Sequence, residues 1–345
     1  MNKGEKLQDV TLVIPTHNRV NYLKRILDYY ESAPLRIIVA DSSKEKFPFE
    51  IANQNIRYYH CPSTSLPQKL SDVLQVVETT FVVMCADDDF TLPDAIKQCV
   101  DFLEQNKVFV VAQGNVLSYL KDKANIGKLG FSILYKDMLS FTIEDNDPMK
   151  RIERLLKNYK SIFYAVHYTE NLQFAFDGVG QAIQNLYLNE YVTVLPLIKG
   201  NYAELPLLFQ VREYSQDSGD KVTINLDQML HDKAYNGAIE SFLDFMARKI
   251  CFDINESSKV VRDKVLEYFQ TFAQKISESK ALSFKKKVGN KVAKLPVVGK
   301  KMIQLNRKLE ALKKEDISLV LRTEEEKREL DHVSSIILKH RNALV

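Results

Sequence analysis

The sequence contains no apolar run of about 18 residues, the length a membrane-crossing helix needs. An ordinary transmembrane segment is therefore excluded, and the polar stretch from Met1 to Asp9 lacks the layout of a secretory signal. The cytoplasm is the expected address. Glycine is scarce, 11 in 345 residues, and neither GxGxxG nor GxxxxGK[ST] occurs. Such loops let backbone amides close on a pyrophosphate, so a dinucleotide fold of the usual kind and a P-loop both fall away. The four cysteines, Cys61, Cys85, Cys99 and Cys251, include no CxxC pair and no zinc-type spacing. They read as reduced, packed residues without chemistry.

What is present is the composition of a folded protein. With 45% apolar and 27% charged residues, 345 residues can bury one full-sized core and carry an appendage. Net charge is only +3, but its distribution is uneven. Between Lys280 and Lys314, twelve Lys and Arg stand against the single Glu310, a local +11 that leaves −8 on the rest. A basic tail on an acidic body points to an anionic partner for the tail.

The first 115 residues alternate strand and helix. Val10 to Ile14 is a β-rich run closed by Pro15, followed by Thr16-His17-Asn18-Arg19 and an amphipathic helix carrying Tyr22, Leu23, Ile26, Leu27 and Tyr30. Leu35 to Ala40 is a second strand ending at Asp41-Ser42-Ser43, and Ile56 to Tyr59 a third, with a helix over about 65–78. Phe81 to Cys85 is an apolar run ending in Asp87, Asp88 and Asp89; Pro93 opens the next helix and Val108 to Ala112 is another strand. The fold class is α/β, Rossmann-like, with a mostly parallel sheet, helices on both faces and a helical C-terminal extension. Three adjacent carboxylates at a strand's C-terminal end are either a ligand site or an acidic turn capping the next helix.

Three motifs in this order carry a resemblance: Leu12-Val13-Ile14-Pro15-Thr16-His17-Asn18-Arg19, Ile38-Val39-Ala40-Asp41-Ser42-Ser43, and Cys85-Ala86-Asp87-Asp88-Asp89-Phe90. Together they resemble family 2 of the GT-A glycosyltransferases, most clearly over residues 8 to 115. The resemblance implies a donor-binding set of Pro15, Thr16, Asn18, Arg19, Asp41, Ser42, Lys69, Asp87 and Asp88, with Asp41 against the nucleotide base. It implies that Asp89, with Asp87, holds Mn²⁺ or Mg²⁺ on the donor diphosphate, Asp88 being the alternative to Asp87 at the ribose. Hard carboxylate oxygens suit such an ion, which neutralises the leaving diphosphate.

Beyond residue 115 the pattern weakens. Lys150, Arg151, Arg154 and Lys157 lie on a short helix, as phosphate contacts or as a solvated face. His167 reads as structural. In the resembled family an acidic pair near this point supplies the base for the acceptor hydroxyl; here Asn189-Glu190 stands instead, making Glu190 the candidate and Asp177 the alternate. Arg212 is the candidate that stabilises the leaving group, or it forms an ion pair with a neighbouring carboxylate. Past Leu226 the chain reads as helical, and the lysine-rich 285–314 stretch, interleaved with apolar residues, fits an anionic membrane surface better than nucleic acid. The segment from Glu324 to Leu338 is an amphipathic helix suited to packing or homo-oligomer formation.

The expected organisation is a glycosyltransferase domain over 1–220 (donor half 8–115, acceptor half 116–220), a helical subdomain over 221–280, and a basic region over 281–345. The expected function is metal-dependent, inverting transfer of a sugar from a UDP-sugar donor to a glycan or lipid-linked acceptor in bacterial surface polysaccharide or glycolipid synthesis, with a place at the inner face of the plasma membrane. A sugar-phosphate nucleotidyltransferase and a non-catalytic sugar-binding scaffold are the alternatives.

Overall fold

The computed structural model describes residues 7–120, 129–183, 186–214, 226–289 and 317–341. Strands β1 (Val10–Thr16), β2 (Arg36–Asp41), β3 (Ile56–His60) and β4 (Phe81–Met84) form one half of a nine-stranded sheet. The other half is β5 (Phe90–Thr91), β6 (Phe109–Leu120), β7 (Phe131–Leu134), β8 (Val166–Tyr168) and β9 (Asn201–Tyr214). The spatial order is β3-β2-β1-β4-β8-β6-β9-β5, with β7 paired to β6 off that path. The first four strands run parallel. β8 then lies antiparallel between β4 and β6, and β6 and β9 pair in parallel over a long register interrupted three times.

Helices α1 (Val20–Tyr29), α2 (Leu66–Leu74) and α3 (Pro93–Gln105) connect the parallel strands. They are followed by α4 (Pro148–Lys157), α5 (Thr169–Phe176), α6 (Val179–Ala182) and α7 (Leu186–Tyr191). The last are α8 (Leu226–His231), α9 (Asn236–Cys251), α10 (Ser258–Gly289) and α11 (Glu324–Lys339). Prolines 67, 93 and 148 sit in the first turns of α2, α3 and α4, where an absent amide leaves no hydrogen bond unmade. No helix among the described residues is long and apolar enough to cross a membrane.

The strands are buried on both faces, so alternate residues feed two cores. Leu12, Ile14, Ile37, Val39, Phe81 and Val83 face α1, α3 and α11. Val13, Ile38, Ala40, Val82 and Met84 face α2, α4, α5, α9 and α10. The helices of the 221–280 region thus share a core with the sheet. α11 returns to the first core through Leu330, Val333, Ile336 and Ile337. It starts with a capping box between Thr323 and Glu326, and Glu326 Oε1 also accepts the Leu208 amide of β9 at 2.8 Å. At its far end His340 Nε2 and Lys339 Nζ meet Asp28 at 2.8 and 3.2 Å.

The short basic helix resolves into structural roles. Arg151 is buried and donates to the carbonyls of Leu197, Ile198 and Asp145, closing the turn Val192–Ile198. Lys157 pairs with Glu153 and Glu267, and Arg154 lies over the Phe141 ring. His167 is fully buried against the Ile162 carbonyl. Of the 285–314 stretch, only the backbone up to Gly289 lies within the described residues.

Candidate active site

Parallel strands deliver their C-terminal ends to one edge, and the polar residues that follow them meet there. Thr16 and Asp41 are register partners across β1 and β2, and Val13 pairs with Met84, so the turn after β4 stands beside the end of β1. Asp41 is buried; its Oδ1 accepts the Ser43 amide at 2.8 Å and its Oδ2 the Tyr58 hydroxyl at 2.7 Å. Tyr58 stacks in parallel with His60, forming an aromatic wall beside Asp41. Lys69 reaches from α2 to the Thr16 carbonyl at 2.7 Å and the Ser42 hydroxyl at 3.0 Å. Burial pulls this ammonium below its ordinary range, while Cys61, Asp41 and Asp87 act against that shift. Asn18 holds a left-handed φ of 54°, which its short polar side chain tolerates, and its amide donates to Ser43 Oγ at 2.7 Å.

Asp87, Asp88 and Asp89 are only 2%, 6% and 1% exposed, so their charges require partners inside the protein. Asp87 accepts Thr16 Oγ1 and Arg19 Nη1, both at 2.6 Å. The other arm of Arg19 reaches Asp88 Oδ2 at 2.7 Å. Asp89 accepts Arg212 Nε at 3.1 Å and the Glu213 amide at 3.0 Å. Burial raises both Asp87 and Asp89 above the usual carboxylate range; Arg19 and Arg212 respectively oppose this, and Asp88 adds to it. The acidic stretch is thus a buried set of carboxylates neutralised from both sides by guanidinium groups, and it lies before α3 instead of capping it.

Arg212 resolves as an ion pair with Asp89, and its guanidinium lies over the Tyr164 ring, 4.7 Å from its centre. Burial raises the Tyr164 hydroxyl well above its ordinary value, with Asp89, Glu190 and Asp88 adding to the rise. Glu190 is half-buried near the end of α7, the opposite end of its helix from a dipole-complementing position, and its charge adds to the upward shift of Arg212. Asp177 is elsewhere, largely exposed and paired with Lys249 at 3.3 Å. The residues that sequence reasoning missed are Tyr58, Tyr164 and a buried pair behind the triad, Arg25 and Glu213, joined at 2.5 Å. Arg25 is detectable in principle, since Arg19, Tyr22 and Arg25 recur at helical spacing on one face.

Among the described residues, no group of three His, Cys, Asp or Glu side chains is arranged to hold a metal ion. The donor set is nevertheless all carboxylate oxygen, the chemistry a hard divalent cation prefers, and the charges now balanced by Arg19 and Arg212 are those such an ion would balance. The chemistry of the triad's oxygens therefore suits Mg²⁺ or Mn²⁺.

A parallel half-sheet without a glycine-rich loop, ending in a carboxylate edge that joins three strands, is a Rossmann-like α/β fold of the GT-A type. Residues 11–168 match the model of the family described as Glycosyl transferase family 2. Among solved structures, S. aureus TarS residues 1–349 align with 97% of this chain and 89% of theirs at 12% identity and TM-score 0.50. The same TarS fragment in complex with UDP-GlcNAc aligns at 13% identity, 97% and 90% coverage and TM-score 0.50. Its complex with UDP gives 13%, 97%, 89% and 0.50. At these identities the likeness is one of fold. No curated protein matches the sequence.

Proposed function

We propose that this enzyme transfers a sugar from a nucleoside-diphosphate donor to an acceptor hydroxyl, with UDP-GlcNAc as the first donor to test because a TarS structure of this fold binds it. The observation that carries the reading is the buried Asp87-Asp88-Asp89 set, charge-balanced by Arg19 and Arg212 beside Asp41. Asp41, Tyr58 and Lys69 line the base pocket, where a uracil edge would find both acceptors and donors. Asp89 and Asp87 would hold Mg²⁺ or Mn²⁺, which supplies charge neutralisation to the diphosphate. Arg19 and Arg212 are placed to turn from the carboxylates to phosphate oxygens, since guanidinium binds either bidentately.

Glu190 is the base in this reading: its carboxylate takes the acceptor proton as the hydroxyl oxygen bonds to the anomeric carbon and the sugar–phosphate bond breaks, inverting that centre. Arg212 then stabilises the departing diphosphate. The acceptor is a glycan or lipid-linked saccharide, and the lysine-rich 285–314 stretch would hold the enzyme to an anionic membrane. A thermal-shift panel of nucleotide sugars with and without Mn²⁺ tests the donor, because the true one stabilises beyond its nucleotide. Product analysis tests the chemistry: released nucleoside diphosphate supports glycosyl transfer, whereas pyrophosphate or no turnover across donors and acceptors overturns it. Flotation with anionic liposomes tests the tail; binding that survives replacement of the Lys and Arg residues of 285–314 by Gln, with α11 kept, would exclude it as the anchor.

A further inference from the structure

Behind the carboxylate triad lies a second, largely buried layer that contacts the triad through main-chain groups. Arg25 is 1% exposed, and its Nη2 donates to the main-chain oxygen of Asp88 at 2.9 Å. Its Nη1 donates to Glu213 Oε2 at 2.5 Å and to the Tyr119 hydroxyl at 3.2 Å. Tyr119 donates to the same Glu213 oxygen at 2.6 Å, and Tyr22 reaches the other at 3.3 Å. The Glu213 amide in turn holds Asp89 Oδ1 at 3.0 Å. The guanidinium is flanked by the Tyr22 and Phe90 rings, 5.0 and 5.1 Å from their centres.

Stability alone is a poor reason for such a pair. Well-packed apolar residues in place of a buried ion pair are often neutral or stabilising, and here Arg25 Nε is buried without a hydrogen-bond partner among the described residues. What the pair supplies is geometry. It ties together α1, the turn after β4 and the end of β9, elements far apart in sequence, at two successive residues of the triad.

We propose that Arg25 and Glu213 are a positioning pair: Arg25 fixes the Asp88 carbonyl, Glu213 fixes the Asp89 carboxylate, and their mutual ion pair holds the triad in the geometry that receives the donor diphosphate. The inference rests on reading the triad as the donor site. Both residues act through Asp88 and Asp89 without touching substrate.

The test compares Glu213→Gln, which keeps the side-chain shape, and Arg25→Lys with Val100→Ala, a core variant on α3 that disturbs the same core. UDP binding is titrated with Mn²⁺, and folding is monitored by thermal melting. The positioning variants are expected to raise the half-saturating Mn²⁺ by about tenfold or more, the usual effect of removing a group that orients a ligand. Val100→Ala should leave it unchanged at a comparable melting loss. An unchanged half-saturation in Glu213→Gln, or an equal rise in Val100→Ala, overturns the proposal. If the wild-type protein itself shows no Mn²⁺-dependent UDP binding, the donor-site reading fails, and crystal structures of wild type and Glu213→Gln decide the positioning claim alone. An Asp89 carboxylate displaced by more than about 0.5 Å supports it, and an unmoved triad overturns it.

Discussion

Removal of Arg19 separates the two ways the triad's charge can be balanced. Arg19 makes two short, charge-assisted bonds, to Asp87 at 2.6 Å and to Asp88 at 2.7 Å, against carboxylates that are almost wholly buried. Hydrogen bonds to charged groups contribute about 1.5–3 kcal/mol each, and a buried charge left without its partner adds to the loss. Arg19 itself is 25% exposed, so solvent screens part of this, and Arg19→Ala is expected to cost about 2–4 kcal/mol. The variant also leaves oxygen ligands uncompensated where a cation is expected. An ion that binds only the folded state at 100 times its dissociation constant stabilises by about 2.7 kcal/mol, so Mn²⁺ should restore most of the loss. In the wild type the guanidinium competes for the same oxygens, and the Mn²⁺ gain should be smaller. Urea denaturation with and without Mn²⁺ measures both quantities. Equal gains in wild type and Arg19→Ala, or a loss below about 1 kcal/mol without the ion, would refute the reasoning.

Asp89→Asn should abolish metal-stimulated turnover while preserving the fold, because the amide still accepts the Glu213 amide; full activity in a radiolabelled-donor assay would remove Asp89 from the site. Lys160 and Glu204 form an ion pair at 2.5 Å with side chains 1% and 0% exposed. Lys160→Met alone should cost about 3–5 kcal/mol in urea denaturation, and Lys160→Met with Glu204→Leu appreciably less; a double variant worse than the single would contradict this. His167 donates its Nε2–H to the Ile162 carbonyl at 2.8 Å, and burial lowers it from 6.5 to about 4. The unfolded chain therefore takes up its proton first, so this contribution is intact above pH 6.5 and declines as pH falls toward 4, by up to about 1.4 kcal/mol per unit. His167→Gln should show a shallower pH dependence between pH 7 and 5, and equal slopes would exclude the assignment. Glu326→Ala leaves the Leu208 amide unsatisfied and breaks the capping box, a loss of about 1–3 kcal/mol measurable by thermal melting.

The parallel strands were legible because their signals are local. β1, β2 and β4 are continuous apolar runs since both faces are buried, and their C-terminal residues announce a shared edge; Thr16, Asp41 and Asp87–Asp89 stand at it by their place after the strands, whereas Arg19 came only with the family resemblance. β8 is only three residues long, too short for a periodicity of its own, and its pairing comes from its neighbours β4 and β6. The full length of β9 is set by its pairing with β6 across a bulged register, which no local signal carries. At the site, the missed contacts are the distant ones: Arg212 to Asp89 spans 123 residues and Arg25 to Glu213 spans 188. Arg151 shows the converse, a residue on a basic helix that reads as solvated yet buries its guanidinium under carbonyls.

The docking of α11 on the first core has a consequence for synthesis. Asp28 on α1 receives Lys339, 311 residues later, and four apolar side chains of α11 complete the layer beside β1, β2 and β4. At roughly 5–20 residues per second, the ribosome takes roughly 15–60 s to make that span. Throughout that interval the nascent N-terminal half leaves uncovered the surface that Leu330, Val333, Ile336 and Ile337 will occupy, an area worth about 6–12 kcal/mol of burial. Growth of the polypeptide and closure of its first hydrophobic layer are therefore separated in time, and the nascent chain carries a defined adhesive face until α11 emerges to cover it.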